Sequence, residues 1–335
     1  MIEYILLIPL LVSLVVTILF LPNWIKRAKS VGLVGKDIQK LDKPKIAEAG
    51  GITIIAGFIF GVLSYIAIKN FYFHSTSNVI EIFALLSSML IISFVGFVDD
   101  TSGWKIGLSK KLRILLVLFA SIPLVVIQAG MTSISLPFLG AINLGIFYTF
   151  IIIPLGIIGA TTTFNFLAGF NGLEAGQGIL LLSASSLVAY FTGNTWLSLI
   201  GLCMIFALLA FLKYNFVPAK VFPGDSLTYP VGGLLAILAV LGNFEKIAVF
   251  FFIPYIIEVI LKLRGKLLKE SFGKPNKEGS LDLLYPKLYG LTHVSIFVLK
   301  KLGINSTEKN VVYLIWLFQF VVILIGFILF SKGIF

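Results

Sequence analysis

The chain has 335 residues, of which 59% are hydrophobic and only 12% are charged. A soluble domain carries about 25% charged residues, so this composition excludes a soluble globular protein and indicates a protein that lies mostly in a membrane. The formal net charge of +11 does not indicate nucleic-acid binding, because the basic residues are spread over loops that flank apolar segments.

Ten apolar segments approach the length of about 20 residues that a membrane helix needs. In chain order they are Ile2–Trp24, Gly51–Ile68, Val79–Val98, Leu112–Gln128, Ile146–Thr163, Gly178–Thr192, Thr195–Leu212, Ser226–Leu241, Ile247–Leu261 and Val311–Phe330. The first lacks a small-residue cleavage site and is interpreted as an anchor, not as a signal peptide. The sequence therefore predicts an all-α, polytopic membrane protein with about ten transmembrane helices, in a single domain that spans residues 1–335.

The basic residues are distributed asymmetrically about these segments. All but three of the 26 Lys and Arg residues lie in or beside the odd-numbered connectors, and the exceptions are Lys69, Lys246 and Lys332. Because loops rich in Lys and Arg stay in the cytoplasm, we expect both termini outside and the odd-numbered connectors inside. The longest hydrophilic stretch, 262–310, is then a large cytoplasmic loop.

Two adjacent carboxylates, Asp99 and Asp100, close the third segment. Adjacent acids repel each other, and the dipole at a helix C-terminus disfavours them, so they need a cation such as Mg²⁺ or a lysine close by. The alternative interpretation is that they mark a helix end at the membrane interface.

The most distinctive stretch follows the fifth segment, at residues 165–177, and reads NFLAGFNGLEAGQ. Glycines expose backbone amides and let a ligand approach closely. Asparagine side chains coordinate a hard cation through oxygen or read a base edge. A glycine-rich turn that Asn caps is the alternative interpretation.

Two further charged residues lie at the start of predicted helices. Asp225, just before the eighth segment, is either a helix N-cap or a ligand of Mg²⁺ together with Asn165. Lys111, just before the fourth segment, is either one more topology-setting lysine or a point charge for phosphate oxygens. The single cysteine, Cys203, argues against a disulfide framework.

Taken together, Asp99-Asp100, the 165–177 stretch and Val221-Phe222-Pro223-Gly224-Asp225 resemble the polyprenyl-phosphate N-acetylhexosamine-1-phosphate transferases. The 165–177 stretch is similar to the eukaryotic and archaeal branch, the UDP-GlcNAc:dolichyl-phosphate GlcNAc-1-phosphotransferases. The likeness covers most of the chain. It implies a ten-helix membrane bundle whose active site faces the cytoplasm.

The resemblance assigns a role to each matching residue. Asn165 and Asp225 match the Mg²⁺ ligands, Asp99 and Asp100 match paired acids required for activity, and Lys111 matches a lysine that holds the phosphates. The substrate-binding matches are Gly169 and Phe222 on either side of the uracil, Asn171 hydrogen-bonded to it, Ile38 near the same base, and Glu48 in the cytoplasmic loop near the site.

The implied activity is a Mg²⁺-dependent transfer of GlcNAc-1-phosphate from UDP-GlcNAc to a polyprenyl (dolichyl-type) phosphate. UMP is released, and the product begins lipid-linked glycan assembly. Mn²⁺ is the expected substitute for Mg²⁺. The implied partners are UDP-GlcNAc, polyprenyl or dolichyl phosphate and membrane lipid, and a homodimer stays open. The implied location is the cell membrane of an archaeal-type cell or the endoplasmic reticulum membrane of a eukaryote.

Two alternatives stay open at this point. One is a bacterial-type transferase that passes another sugar phosphate to a polyprenyl phosphate, since the region 267–276 lacks the His-Arg pair with which the dolichol branch grips the sugar. The other is a polytopic transporter, which would carry ionisable groups or broken helices near the membrane midplane. The acidic motifs of this chain instead lie at predicted helix ends.

Overall fold

The computed structural model describes residues 4–102, 107–136 and 140–334. Lys105, which the charge count places in the third connector, lies outside these ranges. The described α-helices are α1 (Leu7–Ser30), α2 (Gly51–Phe71), α3 (Val79–Thr101), α4 (Lys110–Ala120), α5 (Ile122–Val126), α6 (Ile153–Phe164), α7 (Leu173–Phe191), α8 (Thr195–Asn215), α9 (Asp225–Gly242), α10 (Glu245–Phe251), α11 (Ile253–Arg264), α12 (Leu291–Lys301) and α13 (Glu308–Ile334). A 3₁₀ turn, Tyr4–Leu6, precedes α1, and a π-helical turn, Tyr148–Ile152, leads into α6.

The fold is mostly helical, and each of the ten predicted segments coincides with one described helix or with two consecutive ones. Within the described residues, seven helices are long and apolar enough to cross a membrane; they are α1 with its preceding turn, α2, α3, α7, α8, α9 and α13. The protein is therefore a polytopic membrane protein, as the composition predicted.

Proline explains why the fourth and ninth predicted segments are not single long helices. Pro123 and Pro254 lack the N–H that a continuous helix needs, and each is the second residue of a new helix, α5 or α11. A single residue separates that helix from the preceding one. Pro154 occupies the same position in α6, which follows the π-helical turn of the fifth segment. A count of ten spans remains a prediction.

Three short antiparallel hairpins were not predicted, so the all-α class was too strict. They pair β1 (Val34–Lys36) with β2 (Lys45–Ala47), β3 (Ser133–Leu136) with β4 (Gly140–Asn143), and β5 (Gly273–Pro275) with β6 (Leu281–Leu283). Strands of three or four residues are too short to show the alternating polarity that identifies a strand in a sequence. The first hairpin is joined to the bundle by a parallel bridge between Ala47 and Val221.

Helix α9 is the centre of the bundle and is almost entirely buried. It packs against α3 and α6 most extensively, and also against α2, α7, α8 and α10. Gly96 permits the approach of α3, because a Cβ at this position would lie 2.4 Å from the carbonyl oxygen of Asp225. The C-terminus of α3 thereby meets the N-terminus of α9, which brings the predicted acidic motifs together at one end of the bundle.

Candidate active site

Asp100 joins helices α3 and α9. Its two carboxylate oxygens accept hydrogen bonds from the backbone N–H groups of Asp225 (2.7 Å) and Ser226 (3.0 Å), at the first turn of α9. A carboxylate at this position satisfies free N–H groups and interacts favourably with the helix dipole. Gly224, at φ +69°, makes room for it, because a Cβ there would lie 2.2 Å from Asp100 Oδ2.

Arg113, on α4, connects the other two acids. Its Nη1 lies 3.1 Å from Asp99 Oδ2, 3.3 Å from Asp225 Oδ2 and 3.3 Å from the hydroxyl oxygen of Tyr229. Asp99 also accepts a hydrogen bond from the backbone N–H of Leu108 at 2.6 Å. The described residues thus place two carboxylates around one guanidinium group, with the carboxylate of Asp100 next to Asp99 in the chain, and this excess of negative charge favours a further cation.

Asn165 follows the last residue of α6 and lies beside the first turn of α9. Its Oδ1 accepts a hydrogen bond from the Thr228 hydroxyl at 3.2 Å, and Thr228 is three residues after Asp225 on the same helix face. An amide oxygen and a carboxylate oxygen are suitable ligands for Mg²⁺, which usually takes one or two protein ligands together with phosphate oxygens and water. In the described parts of the chain no group of three or more His, Cys, Asp or Glu side chains forms a metal cage of protein ligands alone. The residues present therefore fit Mg²⁺ that is bound with a phosphate substrate.

A cavity of about 640 Å³ opens beside these carboxylates. It is lined by all seven residues predicted to bind substrate or metal, which are Ile38, Glu48, Asn165, Gly169, Asn171, Phe222 and Asp225. Small-molecule sites commonly have volumes of about 300–1,000 Å³, so the cavity has room for a nucleotide sugar. Segments far apart in sequence thus meet around one space.

Asn171 is fixed through both its backbone and its side chain. Its backbone N–H donates to Glu308 Oε1 at 2.8 Å, and its Nδ2 donates to Asp37 Oδ2 at 2.8 Å. Lys40 forms an ion pair with Glu308, and its Nζ lies 4.0 Å from Asp37 Oδ2. The β1–β2 hairpin, the 165–177 stretch and the start of α13 are therefore joined at this point.

Gly169 has a backbone conformation that favours glycine, at φ +106°, and a Cβ there would lie 2.6 Å from the ring of Phe272. Its N–H donates to Glu174 Oε1 at 2.7 Å. Gln39 connects the same region to the β5–β6 hairpin, because its Oε1 accepts from the backbone N–H of Gly273 at 3.3 Å. The large loop after α11 thus contributes Phe272 to the cavity wall.

His293, to which the sequence assigned no role, supports this loop from α12. Burial lowers the pKa of its imidazole, which favours the neutral form. Its Nδ1 accepts from the backbone N–H of Tyr289 at 3.3 Å, so the neutral ring carries its proton on Nε2 and donates to the carbonyl oxygen of Phe272 at 3.1 Å.

Phe222 and Glu48 form the side of the cavity that is nearest to α1 and α2. The N–H of Phe222 donates to the carbonyl of Ala47 at 2.7 Å, and Trp24 Nε1 donates to the carbonyl of Glu48 at 2.9 Å. Burial raises the pKa of the Glu48 carboxyl group. No hydrogen bond to this carboxyl group occurs within the described ranges, so it remains free to bind a polar ligand.

The structure brings the predicted site residues together, except for Lys111. Lys111 is exposed on the first turn of α4 and does not line the cavity, whereas Arg113, two residues later, contacts Asp99 and Asp225. The sequence contained a signal for Arg113, since it is a charged residue inside the fourth apolar segment. The role of Lys111 stays a prediction.

Comparison with known proteins identifies the family to which this chain is related. The sequence model of glycosyl transferase family 4 matches residues 82–243, which include both acidic motifs and the 165–177 stretch. A protein of Saccharolobus solfataricus is 40% identical over 312 residues, which cover 92% of each chain, and has the provisional name UDP-N-acetylglucosamine–dolichyl-phosphate N-acetylglucosaminephosphotransferase.

More distant relatives extend the comparison to eukaryotes and bacteria. A Dictyostelium discoideum protein named UDP-N-acetylglucosamine–dolichyl-phosphate N-acetylglucosaminephosphotransferase is 28% identical over 72% of this chain and 67% of its own length. The phospho-N-acetylmuramoyl-pentapeptide-transferase of Clostridium perfringens is 30% identical over 69% of this chain and 75% of its own length. The chain therefore belongs to glycosyl transferase family 4, and within that family to the branch of the UDP-GlcNAc:dolichyl-phosphate GlcNAc-1-phosphotransferases.

Proposed function

We propose that this protein transfers GlcNAc-1-phosphate from UDP-GlcNAc to a dolichyl-type polyprenyl phosphate, in the first step of lipid-linked glycan assembly. The observation that carries the proposal is the single cavity lined by Ile38, Glu48, Asn165, Gly169, Asn171, Phe222 and Asp225. The relatives in Saccharolobus solfataricus and Dictyostelium discoideum support the choice of both substrates by their names.

In the proposed reaction, an oxygen of the polyprenyl phosphate attacks the β-phosphorus of UDP-GlcNAc. A new P–O bond forms there, and the bond from the β-phosphorus to the oxygen that bridges the two phosphates breaks. UMP leaves with that oxygen, and polyprenyl-diphosphate-GlcNAc stays in the membrane. The second pKa of a phosphate monoester is near 6, so most of the nucleophile is already dianionic at pH 7 and proton removal contributes little.

The main requirement is then to neutralise and align two anions. Arg113 supplies a guanidinium group beside the acids, and Lys111 would supply a second positive charge. Asp99 holds Arg113 in place at 3.1 Å. Asp100 holds the first turn of α9, which carries Asp225 and Thr228, against α3.

Mg²⁺ would be held by Asp225 and Asn165, and when bound it stabilises negative charge on phosphate oxygens. Mn²⁺ has similar ligand preferences and is the expected substitute. The excess of carboxylates over basic groups in the described part of this cluster supports a divalent cation at this position.

The uridine would occupy the part of the cavity between Phe222 and Gly169. Phe222 offers a ring for stacking, and the missing side chain of Gly169 lets the ring of Phe272 approach the backbone beside the base. Asn171 offers a carboxamide group for hydrogen bonds to the base, and Glu48 offers a carboxyl group near the first hairpin.

We further propose that the cavity faces the cytoplasm and that both termini lie outside. The support is the distribution of Lys and Arg, since all but Lys69, Lys246 and Lys332 lie in or beside connectors on the side of the acidic motifs. In an archaeal-type cell the corresponding membrane is the cell membrane.

The proposal is tested with purified protein in liposomes that contain dolichyl phosphate. With labelled UDP-GlcNAc and Mg²⁺, we expect release of UMP and formation of a labelled lipid in equal amounts. Excess EDTA should abolish both, and added Mg²⁺ or Mn²⁺ should restore them. Full turnover in excess EDTA would contradict the metal-dependent mechanism.

The same assay separates the alternatives. Transfer from UDP-MurNAc-pentapeptide to undecaprenyl phosphate, with none from UDP-GlcNAc, would identify a bacterial-type activity. Uptake of intact labelled nucleotide sugar without release of UMP would identify a transporter.

A further inference from the structure

We propose that Asp37 makes this site select uracil over cytosine, by fixing the orientation of the Asn171 carboxamide. The inference rests on the proposed function, because it assumes that the base of the nucleotide sugar lies against Asn171. It adds a specificity-determining residue that does not have to touch the substrate itself.

The two side chains form a buried hydrogen-bonded pair. Asn171 Nδ2 donates to Asp37 Oδ2 at 2.8 Å, and each residue is only 4% exposed. Asp37 Oδ1 accepts from the backbone N–H of Gln39 at 3.1 Å, which fixes the carboxylate within its own turn. Both Asp37 and Asn171 line the cavity.

The chemistry of the two groups allows only one arrangement. An ionised carboxylate accepts hydrogen bonds and donates none, whereas a carboxamide has a donating nitrogen at one end and an accepting oxygen at the other. The nitrogen of Asn171 must therefore face Asp37. Rotation of the carboxamide by 180° would bring two oxygens together and leave them without a proton to share.

This arrangement leaves the oxygen of Asn171 available to a ligand. Asn171 Oδ1 has no hydrogen-bond partner among the described residues. It is not fully buried, whereas the unpaired Oε2 of Glu174 is, so a ligand in the cavity can reach it. The site consequently presents an acceptor from this residue.

An acceptor at this position discriminates between the two pyrimidines. Uracil carries a hydrogen on N3 and can donate to Asn171 Oδ1, whereas N3 of cytosine is itself an acceptor. Cytosine would place two acceptors opposite each other, and a polar group left unpaired in a buried site is strongly unfavourable. Without Asp37, the carboxamide could rotate and offer its nitrogen to cytosine instead.

The test is the ratio of the inhibition constants of CDP and UDP in the liposome transfer assay. For the wild-type protein we expect UDP to bind about 100-fold more tightly than CDP. A site that hydrogen-bonds one specific group of its ligand rejects an analogue that lacks this group. Asp37→Leu should reduce this ratio about tenfold, since the isosteric apolar side chain no longer holds the carboxamide. Asp37→Asn should reduce it less, because the new carboxamide can accept from Asn171 in only one of its own two orientations.

A change in the ratio is a readout that a merely structural role of Asp37 would not produce. If the variants weaken UDP and CDP binding equally, so that the ratio is unchanged, the inference is wrong. Asp42→Leu removes an exposed carboxylate from the same loop and should leave both constants unchanged.

A measurement on the wild-type protein covers the case in which Asp37→Leu does not fold. N3-methyl-UDP lacks the N3 hydrogen and should inhibit at least about tenfold more weakly than UDP. Equal inhibition by the two would overturn the inference. A wild-type protein that binds UDP in this manner but releases no UMP from UDP-GlcNAc would instead contradict the proposed function.

Discussion

The two halves of the cavity are built in different ways. The acidic half depends on the ends of regular helices, since Asp99 and Asp100 lie in the last turn of α3, Arg113 lies in the first turn of α4 and Asp225 begins α9. The half in which we propose that the base binds depends on loops, where Asp37 accepts a hydrogen bond from Asn171 and Gln39 donates to both Asp37 and Gly169. The comparison teaches that packing between buried helices places the charged side chains of this site. The side chains proposed to recognise the base are placed instead by contacts between loops remote in sequence.

If this comparison is right, substitutions in the acidic half should reduce the rate, and substitutions in the base-binding half should mainly weaken nucleotide binding. The largest effect is expected for Asp225→Asn, which keeps the size of the side chain but removes its charge. Transfer should fall by at least about 1,000-fold, because the proposed metal ligand and the charged partner of Arg113 are lost together. The measurement is the rate of UMP release at saturating UDP-GlcNAc and Mg²⁺.

The control for that variant is Asp282→Asn, which removes a half-exposed carboxylate from its ion pair with Lys300. Surface ion pairs contribute about 0–1 kcal/mol, so this variant should retain wild-type activity. Substantial transfer by Asp225→Asn would remove Asp225 from the metal site.

A somewhat smaller loss is expected for Arg113→Met. The variant keeps much of the side-chain volume but leaves Asp99 and Asp225 without their cation, so the rate should fall about 100-fold with little change in the KM for UDP-GlcNAc. The measurement is kcat and KM in the liposome assay. Arg264→Met, at the exposed end of α11, is the matched control.

Lys111→Met tests which cation acts on the phosphates, because the family resemblance assigns that role to Lys111. If Lys111→Met lowers the rate and Arg113→Met does not, then Arg113 serves only to hold the helices together. A larger loss for Arg113→Met would support the guanidinium group as the cation nearest to the reacting phosphates.

The smallest effect on the rate is expected in the base-binding half. Asn171→Ala should raise the KM for UDP-GlcNAc about tenfold and leave the KM for dolichyl phosphate unchanged, because one base contact is lost. Asn23→Ala, on the exposed surface of α1, should leave both constants unchanged. An increase in only the lipid KM would contradict the assignment of Asn171 to the base.

Much of the bundle could be predicted from the sequence, because hydrophobic length identifies a helix with few competing interpretations. The breaks before Pro123 and Pro254 were visible in principle, since each proline lies inside a predicted segment. The hairpins could not be recognised, because strands such as Val34–Lys36 are too short and too polar to stand out.

The cavity wall was predicted through family motifs, and the structure adds how it is held together. The different tasks of Asp99 and Asp100 could not be separated in sequence, because adjacent acids look equivalent until one is seen to cap α9. Glu308 and Asp37 were not singled out, since their contacts with Asn171 connect positions more than 130 residues apart. Local patterns carry no information about such pairs.

The contact between Phe272 and Gly169 has a consequence for engineering. The segment 267–276 would be the natural target for changing which sugar is accepted, yet it also shapes the surface on which the uracil would lie. Grafting this loop from another branch would therefore alter nucleotide affinity together with sugar preference. The two properties can be changed separately only if Phe272 and its anchor, His293, are retained.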